Sequence, residues 1–356
     1  MTSRFVHASA PTRPRSVHRF RGLALAAVIA VLLAGCTRAD KGNGAAPATT
    51  TTVGATTTTA DDAAAGDDER CTPARALAAD APERKGGTLP FGGIDRRYLL
   101  HLPPQYDGTT RLPVVFDFHG HGSSATVQLF YSRITPVADR EGFVVVAPEG
   151  QGATPHFTLL GATATEADDV EFTVALLDEL IGWLCLDPTR VYATGMSNGG
   201  ALSSVLACRA ADRFAATGAV AALIHLPQCA QRPGPAPFVA MMGTADPVVP
   251  YAGGRVNCCG NPNIPATPDT IAGFARSSGC EPDPVTERIG PDVELQRYQG
   301  CDDGAAVELY VIEGGGHTWP GSPIDLSGRG LGATTASVDA TETMWAFFER
   351  HRLVPE

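Results

Sequence analysis

The chain has 356 residues, of which 44% are hydrophobic and 18% are charged, and its formal net charge is −11. This hydrophobic content is enough for a sizeable buried core, which excludes global disorder. Residues 1–35 carry five arginines and no acidic residue, so the remaining 22 basic and 38 acidic residues give the rest of the chain a charge of −16. A surface this acidic repels phosphate groups, and we therefore expect no nucleic-acid partner.

The N-terminus has the pattern of an export signal. A basic stretch that ends at Arg21 precedes twelve uncharged residues, 23–34, which are too few to span a bilayer but typical of the apolar part of a secretory signal. The run ends in Leu33-Ala34-Gly35-Cys36, which resembles the lipobox of bacterial lipoproteins. We predict a lipoprotein signal peptide over residues 1–36 and a lipid anchor on Cys36 that holds the chain at the outer face of the cell membrane. An ordinary signal peptide and a secreted protein are the alternative.

The chain after Cys36 divides into two parts. Residues 37–70 consist mostly of Thr, Ala, Gly and Asp, which predicts a flexible linker. Residues 71–356 are left for one α/β domain of ordinary size. No internal repeat is visible in the sequence.

Eight cysteines remain once Cys36 is assigned to lipid, and an even number in an exported chain indicates disulfides. We expect one bridge between Cys280 and Cys301 and one between Cys208 and Cys229, because each pair flanks a strand-like segment. The sequence does not pair the other four. A zinc site is the rival interpretation, but it lacks the usual ligand spacing, and we predict no metal and no cofactor.

Strands and helices alternate along the predicted domain. Residues 112–118 form an almost unbroken apolar run, typical of a strand buried on both faces of a sheet. Residues 170–184 have helical periodicity behind Asp168 and Asp169, one of which we expect to cap the helix. The alternation predicts an α/β fold with a mostly parallel, doubly wound sheet, in which sites form at the carboxyl ends of strands. In chain order we predict strands at 98–102 and 112–118, a helix at 126–139, a strand at 143–147, a helix at 170–184, a strand at 190–195, a helix at 199–211, strands at 215–222, 238–242, 293–298 and 307–312, and a helix at 339–350.

The sequence GMSNG at residues 195–199 matches G-x-S-x-G between a predicted strand and a predicted helix. A serine hydroxyl is a poor nucleophile unless a base lies beside it. A sharp strand-to-helix turn exposes the hydroxyl above the sheet, and small flanking residues allow the strained backbone that this requires. We predict Ser197 as a nucleophile; a glycine-rich turn with a surface serine is the alternative.

Two further motifs follow apolar strands: GTADPVVP at residues 243–250 and GGGHTWP at residues 314–320. The order Ser, Asp, His is the one used by hydrolases with this serine turn. We predict that His317 takes the proton of Ser197 and that Asp246 holds the imidazole tautomer. A turn-forming aspartate and a structural histidine are the alternatives. The other candidates for the acid and the base lie in sequence contexts that fit these roles less well: Asp283, Asp302, Asp303, His101, His156, His225 and His351.

An oxyanion hole must stabilise the negative charge of a tetrahedral intermediate. The backbone N–H of Asn198, at the start of a helix, supplies one predicted donor. The loop after strand 112–118 has the sequence HGHG, and we predict the N–H of His121 as the second donor. A metal site formed by Asp117, His119 and His121 is the alternative, and we prefer the backbone role.

In combination, these motifs resemble the poly(3-hydroxybutyrate) depolymerase and feruloyl esterase-like family of α/β-hydrolases, which is allied to carbohydrate esterase family 1. The resemblance covers about residues 87–350. The motifs that carry it are His119-Gly120, Asp168-Asp169-Val170, GMSNGG at 195–200, GTADPVVPY at 243–251 and GGGHTWPG at 314–321.

The resemblance implies the α/β-hydrolase fold and a serine esterase with Ser197 as nucleophile, Asp246 as acid and His317 as base. The family often has Cys at the position of His121, so no disulfide can form there in this chain. Asp168 and Asp169 are expected to brace the loop before the helix, and Trp319 either lines the substrate pocket or is structural.

The sequence thus predicts an exported, membrane-anchored carboxylic ester hydrolase that works through an acyl-enzyme. We expect a small-molecule or oligomeric ester as substrate, for example a soluble ester, a short oligomer or a hydroxycinnamoyl sugar. Three alternatives stay open at this point: an acyltransferase on cell-wall sugars with the same triad, a non-catalytic surface-binding lipoprotein, and a serine peptidase.

Overall fold

The computed structural model describes residue 71, residues 85–159, 166–227, residue 229 and residues 236–354. The predicted signal peptide, its lipidation residue Cys36 and the predicted linker over 37–70 lie outside the described residues. Within the described parts, no helix is both long and apolar enough to cross a membrane.

A ten-stranded sheet runs through the domain in the order β1-β2-β4-β3-β5-β6-β7-β12-β11-β10. The six strands from β4 to β12 in this order are parallel to each other, and the strands at both edges are antiparallel. Strands β8 and β9 form a separate two-stranded hairpin. The strands are β1 (Gly86–Phe91), β2 (Ile94–His101), β3 (Leu112–Phe118), β4 (Val144–Pro148), β5 (Leu186–Gly195), β6 (Ala216–Val220), β7 (Phe238–Gly243), β8 (Gly254–Arg255), β9 (Asn263–Ile264), β10 (Val285–Gly290), β11 (Val293–Tyr298) and β12 (Val307–Ile312).

Helices cover both faces of the sheet. Side chains alternate along a strand between the two faces, and Phe116 and Val115 of β3 accordingly belong to different core clusters. One face packs against α3, α4 and α5, and the other against α1, α2 and α6. The helices are α1 (Ala125–Ser132), α2 (Ile134–Glu141), α3 (Asp169–Ile181), α4 (Asn198–Arg209), α5 (Thr267–Ser277) and α6 (Ala340–Phe348). The predicted doubly wound α/β fold is confirmed.

One predicted helix is wrong. The expected helix over 126–139 is two helices, α1 and α2, that meet at Arg133, which has a left-handed φ of 56°. Pro136 explains the break, because a proline ring in a continuous helix would clash with the carbonyl of the residue four positions earlier, here Ser132. That carbonyl instead accepts a hydrogen bond from the hydroxyl of Thr341 in α6.

All eight cysteines of the predicted domain form disulfides. The two expected bridges, Cys208–Cys229 and Cys280–Cys301, are confirmed. The four cysteines that the sequence did not pair form Cys71–Cys185 and a bridge between the neighbours Cys258 and Cys259. A zinc site at these cysteines is therefore wrong.

Candidate active site

Ser197 lies on a sharp turn between β5 and α4. Its φ of 55° and ψ of −118° are strained for a residue with a side chain. The turn packs tightly against the end of β3: a methyl group at Gly199 would lie 2.2 Å from the carbonyl oxygen of Phe118, and one at Gly195 would lie 2.6 Å from the same oxygen. The two glycines of the motif are therefore required by the close approach of two backbones, and this approach holds the serine above the strand ends.

Because of this contact, Gly199→Ala is expected to destabilise the fold strongly, by about 3 kcal/mol or more, since either β3 or the turn must move. Gly328→Ala is the matched control, because a methyl group there meets nothing within 4 Å. Urea unfolding of both variants measures the difference. An unfolding free energy of Gly199→Ala within 1 kcal/mol of the control would contradict the packing described here.

Asp246 and His317 lie in the loops that follow two neighbouring parallel strands, β7 and β12. The Nδ1 of His317 lies 2.7 Å from the Oδ2 of Asp246, and both residues are buried. The other carboxylate oxygen, Oδ1, accepts hydrogen bonds of 2.8 Å from the N–H groups of Val248 and Val249. Three hydrogen bonds thus fix the carboxylate of Asp246. The carboxylate in turn orients the imidazole of His317 through Nδ1, so the other ring nitrogen, Nε2, is the one that can exchange a proton with a substrate or a nucleophile.

Ser197 and His317 line one cavity of about 280 Å³ at the carboxyl ends of the parallel strands. Its wall is mainly apolar, and Arg329 is the one lysine or arginine among the lining residues in the described part of the chain. Pockets for small ligands typically measure roughly 300–1,000 Å³, so this cavity suits a single compact group. The other lining residues are Gly120, His121, Ser123, Val127, Gln128, Tyr131, Met196, Pro247, Val248, Asn257, Cys258, Cys259, Leu326, Gly330 and Leu331.

The loop after β3 passes directly beside the serine. A methyl group at Gly120 would lie 3.5 Å from the Cβ of Ser197, and the next residue, His121, lines the cavity. Within the described chain, neither the N–H of His121 nor that of Asn198 has a hydrogen-bond partner. The side chain of Asn198 is used elsewhere, since its amide accepts from and donates to the backbone of Phe157 at 2.7 and 3.1 Å.

His119 is a structural residue of this loop. Its Nδ1 donates to the carbonyl of Gly120 at 2.7 Å, and its Nε2 accepts from the N–H of Gly150 at 2.9 Å. Burial lowers the pKa of His119 to about 4, which agrees with a neutral ring. Burial also lowers the pKa of His121, whose ring contacts that of His156.

The alternative metal site at Asp117, His119 and His121 does not form. The carboxylate oxygens of Asp117 accept hydrogen bonds of 2.8 Å from Gln128 and Ser132, and both nitrogens of His119 are occupied. Among the residues that the structure describes, no cluster of three or more His, Cys, Asp or Glu could hold a metal ion.

Asp117 is expected to make stability depend on pH. Complete burial raises its pKa from 3.8 to about 7, despite the two hydrogen bonds that oppose this rise. Between about pH 4 and pH 7 the folded state therefore binds more protons at this residue than the unfolded state, so its contribution to stability falls as the pH rises.

Asp117→Asn is expected to flatten the pH dependence of the unfolding free energy between pH 4 and pH 7 relative to the wild type. Denaturant titrations of both proteins at several pH values measure this. Parallel curves for the two proteins across this window would show that Asp117 does not titrate there.

The two acids at the start of α3 brace the helix and the segment before it, as expected. Asp168 caps α3 by accepting from the N–H groups of Val170 and Glu171. Asp169 is buried, pairs with Arg96 and accepts a 2.7 Å hydrogen bond from the N–H of Thr158. Thr158 follows Phe157, the residue held by Asn198, so this buried ion pair supports the segment beside the serine turn.

Trp319 does not line the cavity, contrary to one of its two expected roles. Only 1% of its surface is exposed, its indole N–H donates to the hydroxyl of Thr341 at 3.1 Å, and its own N–H binds the hydroxyl of Tyr131. Trp319 is therefore a core residue, and it packs between α6 and the loop that carries His317. None of the competing acids and histidines lines the cavity either: Asp283, Asp302, Asp303, His101, His156, His225 and His351.

Sequence reasoning missed three features of the cavity wall, namely Asn257, the Cys258–Cys259 pair and Arg329. Two adjacent cysteines, the first of them twelve residues after Asp246, are a signal that could have been used. Arg329 ends a short 3-10 helix, Ser327–Arg329, whose sequence has no recognisable pattern.

The chain is similar in sequence to proteins described as esterases. The family model described as "Esterase PHB depolymerase" matches residues 96–249. "Putative esterase NocK" of Nocardia uniformis subsp. tsuyamanensis is 31% identical over 77% of this chain and 85% of its own length. Feruloyl esterase D of Neurospora crassa is 30% identical over 68% of this chain and 84% of its own.

A solved structure, the acetyl xylan esterase from Aspergillus awamori, is similar in fold. Its TM-score is 0.52, over 65% of this chain and 94% of that one, with 14% sequence identity. The likeness extends over nearly all of that structure and agrees with the α/β-hydrolase architecture described above.

Proposed function

Because the chain belongs to the family of esterases related to poly(3-hydroxybutyrate) depolymerases and feruloyl esterases, it is a carboxylic ester hydrolase, and we propose that Ser197, His317 and Asp246 are its catalytic triad. The observation that carries this proposal is the 2.7 Å hydrogen bond between His317 and Asp246 at the cavity that Ser197 also lines.

In the first half of the proposed reaction, the hydroxyl oxygen of Ser197 attacks the ester carbonyl while Nε2 of His317 takes its proton. Asp246 stabilises the imidazolium through Nδ1. The N–H groups of His121 and Asn198 donate hydrogen bonds to the oxyanion, and the positive end of the α4 dipole adds to this stabilisation. His317 then gives the proton to the leaving alcohol, and an acyl-enzyme on Ser197 remains.

In the second half, water attacks the acyl-enzyme and His317 takes a proton from it. Collapse of the second tetrahedral intermediate returns this proton to Ser197 and releases the acid. The substrate class that we propose is a small-molecule or oligomeric ester whose acyl group fits the 280 Å³ cavity.

An ester panel tests the proposal. Short-chain acyl esters, a 3-hydroxybutyrate oligomer, a feruloyl sugar and acetylated xylan are incubated with the wild type, and acid and alcohol are both quantified. We expect at least one of them to give acid and alcohol in equal amounts, while the matching amides stay intact. Acyl transfer to an added sugar in place of acid release would instead show an acyltransferase, and cleavage of amides would show a peptidase.

We further propose that the protein is exported and held at the outer face of the bacterial membrane by lipid on Cys36. Four disulfides support export, because such bonds persist in oxidising compartments. The proposed domain organisation is a signal peptide over 1–36, a linker over 37–70 and a catalytic domain over 71–356. Cys36→Ala is expected to shift the mature protein out of the membrane fraction, and an unchanged distribution would contradict the anchor.

A further inference from the structure

The disulfide between Cys258 and Cys259 forms part of the wall of the catalytic cavity. The two residues are neighbours in the sequence, so the bond closes a small ring. Cys258 is half-buried and Cys259 is exposed, and both line the cavity together with Ser197 and His317. The two bonded residues are therefore part of the surface that a bound substrate meets.

The loop that carries this ring is tightly turned. It connects β8 to β9, and the N–H of Asn261 donates to the carbonyl of Cys258 at 2.8 Å. Cys259 has a φ of 57°, a conformation that few residues other than glycine adopt readily. Ring closure removes conformational freedom from both cysteines, so this part of the wall is more rigid than the same loop without the bond.

The same loop is bound to the segment that fixes the proposed catalytic acid. The N–H of Asn257 donates to the carbonyl of Val248 at 2.8 Å, and its side-chain amide donates to the carbonyl of Pro247 at 2.6 Å. The N–H of Val248 in turn holds the carboxylate of Asp246. These hydrogen bonds fix the position of the disulfide relative to the proposed triad.

The chemistry of this wall favours one kind of acyl group. Divalent sulfur is polarizable and makes favourable contacts with aromatic rings, and Tyr131, Leu326 and Leu331 add further apolar or aromatic surface to the cavity. The cavity volume of about 280 Å³ is small for a ligand site, so a flat group fills it better than a folded chain.

We propose that the Cys258–Cys259 disulfide is a specificity-determining contact of this esterase, and that it selects esters whose acyl group carries a planar conjugated ring over short aliphatic esters. This inference rests on the proposed function of the same cavity. It assigns to the disulfide a contact with the substrate in addition to its effect on the loop.

The test compares 4-nitrophenyl ferulate with 4-nitrophenyl acetate, which share a leaving group. The variant replaces Cys258→Ala together with Cys259→Asn, because asparagine tolerates the left-handed backbone that residue 259 has. We expect the ratio of kcat/KM for ferulate to kcat/KM for acetate to fall at least tenfold, mainly through a higher KM for ferulate.

The matched control is Cys280→Ser with Cys301→Ser, which removes a disulfide whose residues do not line the cavity. The control is expected to keep the wild-type ratio. An unchanged ratio in the Cys258→Ala, Cys259→Asn variant, or an equal fall in the control, would overturn the inference. Wild-type protein that hydrolyses neither ester would instead overturn the proposed function itself.

A second measurement covers the case in which the variant does not fold. Wild-type protein is reduced mildly with a water-soluble phosphine and alkylated, and mass spectrometry identifies the molecules labelled at residues 258 and 259 only. These molecules are expected to show the same tenfold fall in the ratio. The wild-type ratio after complete labelling of both residues would overturn the inference.

Discussion

Ser197→Ala is expected to lower kcat/KM for ester hydrolysis about 10⁴-fold or more, to the level that binding and the oxyanion donors alone supply. The substitution removes the proposed nucleophile, so no acyl-enzyme can form. Rapid mixing with a 4-nitrophenyl ester measures both the turnover rate and any initial burst of alcohol, and neither is expected above background in this variant.

The fold is expected to survive this change. The strained φ of Ser197 belongs to the backbone and is no worse for alanine, so the thermal midpoint should stay within a few degrees of the wild type. Ser327→Ala, at an exposed serine outside the cavity lining, serves as the control and should keep full activity. More than 1% of wild-type kcat/KM in a folded Ser197→Ala protein would rule out the proposed nucleophile.

The second large effect is expected for Asp246→Asn, with kcat lower by about 10⁴-fold, as for the equivalent change in serine protease triads. The amide oxygen can still accept from the N–H groups of Val248 and Val249, because these bind Oδ1. The amide nitrogen then faces Nδ1 of His317 and donates to it. The imidazole proton must move to Nε2, and this tautomer cannot take the proton of Ser197.

Two comparisons make this expectation sharp. Asp283→Asn changes an exposed acid outside the cavity and should leave kcat unaltered. The double variant Ser197→Ala with Asp246→Asn should be no slower than Ser197→Ala alone, because the members of a triad act as a unit. Multiplicative losses in the double variant would mean that Asp246 acts independently of the serine.

The fold could be predicted from the sequence where burial is complete. Strands β3 and β12 have the predicted bounds, 112–118 and 307–312, because a strand buried on both faces is apolar at nearly every position. The edge strand β10 was missed, since five of its six residues are exposed and carry no such pattern. Helix α5 was missed as well, although Pro268 at its second position is a common helix start.

The site could be predicted as far as backbone motifs define it. Glycines at 195 and 199 and the strands before Asp246 and His317 mark positions whose backbone geometry leaves a trace in the sequence. The role of Trp319 could not be separated in this way, because a tryptophan beside a catalytic histidine can face either the cavity or the core. The cavity wall at Arg329 and Cys258 could not be predicted either, because the fold brings these residues together from distant parts of the sequence.

The bond between Cys71 and Cys185 fixes the point at which Cys71 is joined to the central sheet, relative to the proposed nucleophile. Cys185 directly precedes β5 and Ser197 follows shortly after its end, so the two lie at opposite ends of a ten-residue strand that measures roughly 30 Å. Mechanical load on the N-terminal side of Cys71 passes through a covalent bond straight into the central sheet. Cys71 therefore joins the sheet at the end opposite the proposed nucleophile, so an anchor upstream of Cys71 would pull on that end of the sheet and not on the serine turn.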